Sequence, residues 1–361
     1  MKHKLLLTAA LAALTATQAA AQTNVQPYQP GITPAGITYF LPQTSFRFVV
    51  TATRTTRHPG PFAQYADRFL GISDAITADT DTWTLDGITA VPYSTPDVRE
   101  AYTIELNPKS AAPLVTLTPD GILLAINDEA EFSPVLPIAS SAVIPVDNPD
   151  ASDFYSEDFL RAGSLLKKAE TVAEEIYDIR EKRTLIANGE ADFNPTDGQQ
   201  LQLMLERQDA KEAALKTLFT GTISKKSCTY IIDYTPKEGS KEFTLFRFSK
   251  HLGLVDPDDM SGEPYCLRIT DETVRPEIDP TIVPAKAKKP LPDVRYRIPG
   301  RARIAIFDTK TTLFEQNYYV AQFGHVEHLS VDLFNKRFTT HVKFSPLTGN
   351  IAHIDMAEPT K

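Results

Sequence analysis

Cysteine is almost missing from this chain: Cys228 and Cys266 are the only two in 361 residues. The fold therefore cannot rest on a disulfide framework. Signatures of chemistry are missing as well. There is no Gly-rich phosphate loop, no G-x-S-x-G elbow and no H-E-x-x-H zinc helix. After the N-terminal segment, no stretch approaches the roughly 20 apolar residues that a helix needs to span a bilayer. Basic charge is in deficit, with 37 Lys and Arg against 46 Asp and Glu. A net-acidic chain repels polyanions on average, which argues against general nucleic-acid binding and against passive adhesion to anionic membranes.

What is present begins with an export signal. Lys2 and Lys4 precede an apolar run from Leu5 to Ala16, and Ala19-Ala20-Ala21 supplies the small residues that signal peptidase admits. The run is too short for a membrane anchor and is interrupted by Thr8 and Thr15. Cleavage is expected between Ala21 and Gln22. With no cysteine at that junction, a lipid anchor is not expected. Loss of Lys2 and Lys4 lowers the 37 basic side chains to 35, for a net charge of −11. Localisation is accordingly expected in the periplasm, or outside it in association with the outer membrane or extracellularly.

Hydrophobic periodicity then divides the chain. Residues 22–35 are polar and read as a flexible tail. Phe46, Phe48, Val50 and Ala52 alternate with Arg47, Thr51 and Thr53, the pattern of a half-buried antiparallel strand. Pro61 and Gly71 bracket a short helix. Further strands are expected over Trp83 to Val91, Ala101 to Leu106 and Ile122 to Ile126, completing a β unit over 36–150. The period becomes helical over 151–221. Leu166, Ala169, Ala173 and Ile176 form one stripe, Asn188-Gly189 ends that helix, and Thr196 to Gln199 reads as a capping box for a second. These two long helices make a hairpin, either a projecting arm or a stripe packed on neighbouring sheets. Strands return over 222–361, interrupted by a Pro- and Lys-rich loop over 271–292. The predicted fold is mainly β with an α-helical hairpin: two antiparallel, sandwich-like units linked by two long helices.

Sites are few. Ser164 and Lys167 have S-x-x-K spacing but lack the K-T-G strand and S-D-N turn of the serine acyl-transfer enzymes. His325 and His328 lie in a segment that reads as strand and turn, which points them apart. No catalytic residue, metal ligand or cofactor is therefore assigned. Cys228 and Cys266 would close a loop of about 39 residues, worth roughly 4 kcal/mol on the chain-entropy model. Against a bridge, Cys228 shares a face with Tyr230, Ile232 and Tyr234, and Cys266 with Arg268 and Thr270. Arg295 and Arg297 alternate along one strand, and Arg301 and Arg303 follow Pro299-Gly300, read as a turn to a partner strand. Together they are expected to form a positive patch suited to phosphate, sulfate or carboxylate groups. An internal echo, Tyr39-Phe-Leu-Pro42 and Tyr296-Arg-Ile-Pro299, precedes an amphipathic strand each time.

Those two motifs, with Gly60-Pro-Phe-Ala-Gln-Tyr65, Leu70-Gly71, Ser261-Gly-Glu-Pro264 and Ala321-Gln-Phe-Gly324, resemble a family of uncharacterised exported proteins from Bacteroides-type bacteria, domain of unknown function 4831. The resemblance implies an envelope location and no particular reaction. The expected function is a non-catalytic binding or assembly module whose partner is an envelope protein, an anionic glycan or a lipid headgroup. A periplasmic hydrolase of glycan or peptide is the alternative. The intact mass of exported protein should match a chain starting at Gln22 or its cyclised form, and secreted material retaining residues 1–21 would overturn the signal reading.

Overall fold

The computed structural model describes residues 24–105, 114–190, 198–275, 293–330, 333 and 339–357. The cleavage site at Ala21 and Gln22, the capping Thr196 and Phe338 lie outside them. The fold is mainly antiparallel β with a helical hairpin. Its frame is two very long two-stranded ribbons. One joins β2 (Gly36–His58) to β3 (Thr80–Glu105), and the other joins β11 (Val294–Phe307) to β12 (Thr312–Leu329).

Each ribbon anchors a five-stranded sheet. The first sheet has the order β1-β3-β2-β7-β6, with β1 (Asn24–Pro27), β6 (Ser140–Ile144) and β7 (Thr222–Tyr234). The second has the order β12-β11-β10-β8-β9, with β8 (Lys241–Ser249), β9 (Gly253–Val255) and β10 (Glu263–Asp271). Their inner faces bury a shared core. Phe46, Phe48, Val50 and Ala52 of β2 meet Phe246, Leu267, Ile304 and Phe323 from the opposing sheet. The β2 alternation therefore does what its sequence pattern predicts. A third sheet, β14-β13-β5-β4, comprises β4 (Val115–Leu117), β5 (Leu123–Ile126), β13 (Thr339–Phe344) and β14 (Ile351–Ala357). It closes a second core on the other ends of both ribbons, where Tyr39, Leu41 and Ile104 meet Ile126, Val294, Val342 and Phe344.

The sheets do not follow the expected division of the chain. Strand β7, after the hairpin, pairs with β2 and β6 from before it, and β13 pairs with β5. The tail expected over 22–35 contains β1, which pairs with β3 and buries Val25. A single apolar residue in a polar run carries no periodicity, so only the waiting edge of β3 reveals that strand. The gap expected between Val91 and Ala101 is bridged by one continuous strand, whose register against β2 slips between Asp97 and Ala101. Pro92 and Pro96 sit inside β3, where β2 is its one partner, because β1 pairs only with residues 102–105. A proline at a sheet edge forfeits no ladder bond.

After the short helices α1 (Ala66–Leu70) and α2 (Glu157–Arg161), the hairpin is α3 (Leu165–Asn188) and α4 (Gly198–Thr220). Ser164 caps α3 by accepting a hydrogen bond from the Lys167 backbone N–H at 3.2 Å, which accounts for the S-x-x-K spacing. The apolar stripe packs on Phe62, Ala66, Ala151 and Phe159, in or just before short helical segments at the hairpin base. Neighbouring sheets do not cover it. Buried residues stop at Ile179 on α3 and resume at Ala214 on α4. Ion pairs also join the two helices, Arg180 with Glu212 at 2.7 Å and Lys211 with Glu175 at 2.7 Å. On α4, Met204, Arg207, Gln208 and Lys211 line a cavity with Asp153 and Phe154. At the hairpin base Gly221 has φ +85°, and a Cβ there would lie 2.3 Å from the His58 carbonyl.

Truncation of Phe48 or Phe344 to Ala should cost about 2 to 5 kcal/mol in chemical denaturation, the range for emptied core sites. Changes below about 0.5 kcal/mol at both would mean that neither face is core. Gly221→Ala, strained by both φ and contact, should destabilise more than Ala substitution at the exposed Gly189, where a Cβ meets nothing within 4 Å.

Candidate functional site: an arginine face and a buried arginine

The four arginines Arg295, Arg297, Arg301 and Arg303 all lie on β11, which continues through Pro299-Gly300 without turning. Its register against β12 slips between Ile298 and Gly300, which marks a bulge, and the chain reverses later, at Asp308 to Thr311. Gly300 and Gly324 let the strands approach at the slip. A Cβ on Gly324 would lie 1.7 Å from the Ile298 carbonyl. Sequence reading takes Pro-Gly as a turn signal. Here the same residues serve a bulge, where a missing N–H and a missing Cβ are both tolerated.

The bulge separates the arginines. Arg297 does not join a surface patch: its side chain is 6 % exposed and is paired at 2.7 Å with Asp97, which is 3 % exposed. Its other guanidinium nitrogen donates to the Pro42 carbonyl at 2.7 Å. Burial raises the Asp97 carboxyl, but the Arg297 hydrogen bond and the Arg99 backbone N–H outweigh it and hold the group below the usual aspartate range. Arg295 lies on the side of the second core, where its backbone N–H donates to the Tyr39 hydroxyl at 2.9 Å.

Arg301 and Arg303 stand on the outer, solvent-facing side of the second sheet, opposite the buried Ala302, Ile304 and Ile306. Cross-strand pairing brings Thr270 beside Arg303, and Arg268 beside Ala305. The Arg268 guanidinium lies 4.5 Å from the centre of the Phe307 ring and donates to Glu242 at 2.7 Å. Arg303 contacts Glu272 at 3.0 Å and Glu315 at 3.5 Å, and Arg301 is 3.7 Å from Glu272. Arg268, Thr270, Arg303, Phe307, Thr312 and Glu315 line a shallow cavity of about 180 Å³. The structure therefore keeps two of the four expected arginines on one face and adds Arg268 and Phe307. Arg268 is remote in sequence and joins the face only through pairing of β10 with β11. The one signal was its alternation with Cys266 and Thr270.

Cys228 and Cys266 are free thiols. Cys228 lies opposite the buried Ala52, on the inward face of the first sheet. Cys266 faces outward from the second sheet, between the inward Tyr265 and Leu267, so the second sheet separates them. His325 and His328 both lie on β12 and both approach Glu327, at 3.4 and 3.6 Å. Among the described residues, no group of three or more His, Cys, Asp or Glu is placed to hold a metal ion. None of the described helices is long and apolar enough to cross a membrane.

The family model described as domain of unknown function (DUF4831) matches residues 35–352. The chain belongs to that family. No curated protein and no solved structure matches it. Three of the motifs that carry the family likeness, Tyr39 to Pro42, Tyr296 to Pro299 and Ala321 to Gly324, meet around the buried Arg297. The Gln322 side-chain amide donates to the carbonyls of Thr44 at 2.9 Å and Pro236 at 2.8 Å, and accepts from the Thr44 N–H at 2.8 Å.

Asp97→Ala should cost about 3 to 5 kcal/mol, because it strands a buried guanidinium. The double variant Asp97→Leu with Arg297→Met should recover most of that loss. A lowered Asp97 pKa contributes stability that is complete above the unfolded aspartate value of about 3.9 and disappears as pH falls through the folded value. Acid titration of the double variant should therefore show a shallower stability loss below about pH 4, and identical slopes would remove the pair from the acid response.

Proposed function

We propose that this protein is an exported, non-catalytic binding module of the cell envelope, and that the outer face of its second sheet receives an anionic glycan. The export segment at residues 1–21 supports the location. The ligand reading rests on one observation, the Arg268 guanidinium stacked 4.5 Å over Phe307 at the rim of a cavity shared with Arg303 and Thr270. An aromatic ring that holds a guanidinium by its face leaves the N–H edge free to meet a carboxylate or sulfate in the plane. A cavity of about 180 Å³ suits one acidic group of a larger ligand better than a whole small molecule.

The arginines of this face are already paired, and that does not oppose the reading. Exposed ion pairs are worth about 0 to 1 kcal/mol, so Glu242, Glu272 and Glu315 can be displaced at little cost. Hydrogen bonds to a charged group contribute about 1.5 to 3 kcal/mol each, and a bidentate acidic group makes two. Glutamates that occupy the guanidiniums in the absence of ligand also keep the face from collecting any passing anion, which favours a ligand with further polar contacts.

The test measures binding of a uronic-acid oligosaccharide and of its neutral counterpart, at low and moderate salt. Wild type should bind the acidic form, more weakly as salt rises, and should ignore the neutral one. Arg268→Ser with Arg303→Ser should weaken binding at least tenfold. Equal binding by the double variant, or binding without salt dependence, would overturn the proposal.

A further inference from the structure

One edge of the first sheet is β6, which lies at the end of a long uncharged segment. From Phe132 to Val146 the chain carries not one charged side chain, although charged residues make up 23 % of the sequence. This segment is largely exposed, with Val135 at 93 %, Ile138 at 74 % and Val143 at 77 %. It ends in β6, whose first four residues, Ser140 to Val143, are all exposed. Strand β6 pairs with β7 on one side and is the last strand of its sheet among the described residues. Its outer row of N–H and C=O groups is thus offered to a further strand. Edges of this kind are normally blunted with lysine or another inward charge, and here the charge sits one strand in, at Lys225 and Lys226 of β7, both exposed. The edge is also held in place. Arg47 donates to the Pro137 carbonyl at 3.0 Å and is itself fixed by Asp233 at 2.7 Å.

We infer that β6 is a self-association edge, at which two copies of this chain pair β6 against β6, antiparallel about a two-fold axis. The composition favours a second copy over a foreign strand. In a two-fold pair centred on Ala142, Ala142 faces its own equivalent, Ser141 faces Val143, and Ser140 faces Ile144. Any charge near the centre would lie close to its own copy, and like charges directly opposite destabilise a strand pair. A net-acidic chain that pairs with itself therefore needs a neutral edge, whereas a partner of different sequence would be served by complementary charge. Pro137 and Pro145 flank the strand and cannot donate to a ladder. They confine the pairing to a short register, and a two-fold contact of this kind closes as a dimer. Val135, Ile138 and Val143 add apolar side chains to the contact. The inference is independent of the ligand reading, since the arginine face lies on the other sheet.

Sedimentation of the full purified chain over rising concentration tests it, together with amide hydrogen exchange. Wild type should pass from monomer to dimer in the micromolar range, and the β6 amides should gain protection as the dimer forms. Ala142→Lys, at an exposed site that leaves the fold intact by circular dichroism, should weaken association at least tenfold. Arg303→Ser should leave it unchanged. Three results would overturn the inference: a monomer at every concentration up to hundreds of micromolar, equal dimerisation of Ala142→Lys, or β6 amides protected to the same degree at all concentrations.

Discussion

The pairing of Arg297 with Asp97 is the point on which the rest of the architecture turns. Both charges are buried, and a charge removed from water is tolerable only with its partner and its remaining hydrogen bonds in place. Asp97 belongs to β3 and Arg297 to β11, so each of the two long ribbons contributes one member. The Pro42 carbonyl from β2 takes a further N–H, and the Arg297 backbone N–H donates to the Gly349 carbonyl in the turn between β13 and β14. Thr44 and Gln322 repeat the arrangement beside it, joining β2 to β12. Apolar burial is non-directional. The hydrogen bonds of this junction are directional and join both ribbons at one place.

That junction also explains why the molecule has two cores on the same strands. In β2, Tyr39 and Leu41 face the small core, and Phe46, Phe48 and Val50 face the large one. The inward residues change from odd to even positions across Thr44 and Ser45, both fully buried. In β11, the bulge at Pro299 separates Val294, in the small core, from Ala302 and Ile304, in the large one. The motifs Tyr39 to Pro42 and Tyr296 to Pro299 hold corresponding places in their ribbons. Each puts a tyrosine at the small core and a proline where the strand passes towards the large one. The ribbons use the same device, and the Tyr39 hydroxyl binds the backbone of Arg295 where they meet.

The surface divides its properties in a related way. On the outer face of the second sheet, arginines and glutamates alternate across strands, which suits exchange of one acidic partner for another. The free edge of the first sheet is neutral and apolar, which suits pairing with an uncharged strand. The hairpin helices are joined by ion pairs such as Arg180 with Glu212, where two guanidiniums and burial act on one carboxylate and leave it below its usual range. The three surfaces carry three chemistries, and none of them disturbs the inner junction.

The amino-acid sequence alone determined the β character, the hairpin and the inward residues of β2, because each is written in a local period. The alternation of Phe46, Phe48 and Val50 reads directly as one buried face. The tertiary structure decided what distant segments share. Strand β7 joined the sheet of β2 across the whole hairpin, and β1 became a strand only because β3 offered an edge. Pro299-Gly300 could be a turn or a bulge, and the partner β12 chose the bulge. Arg297 was read as surface because alternation places it among polar residues. Its burial follows from an aspartate two hundred residues away, and no pattern along the chain encodes that meeting. Arg268 and Phe307 became neighbours for the same reason: pairing across strands is a property of register, and register is settled by packing.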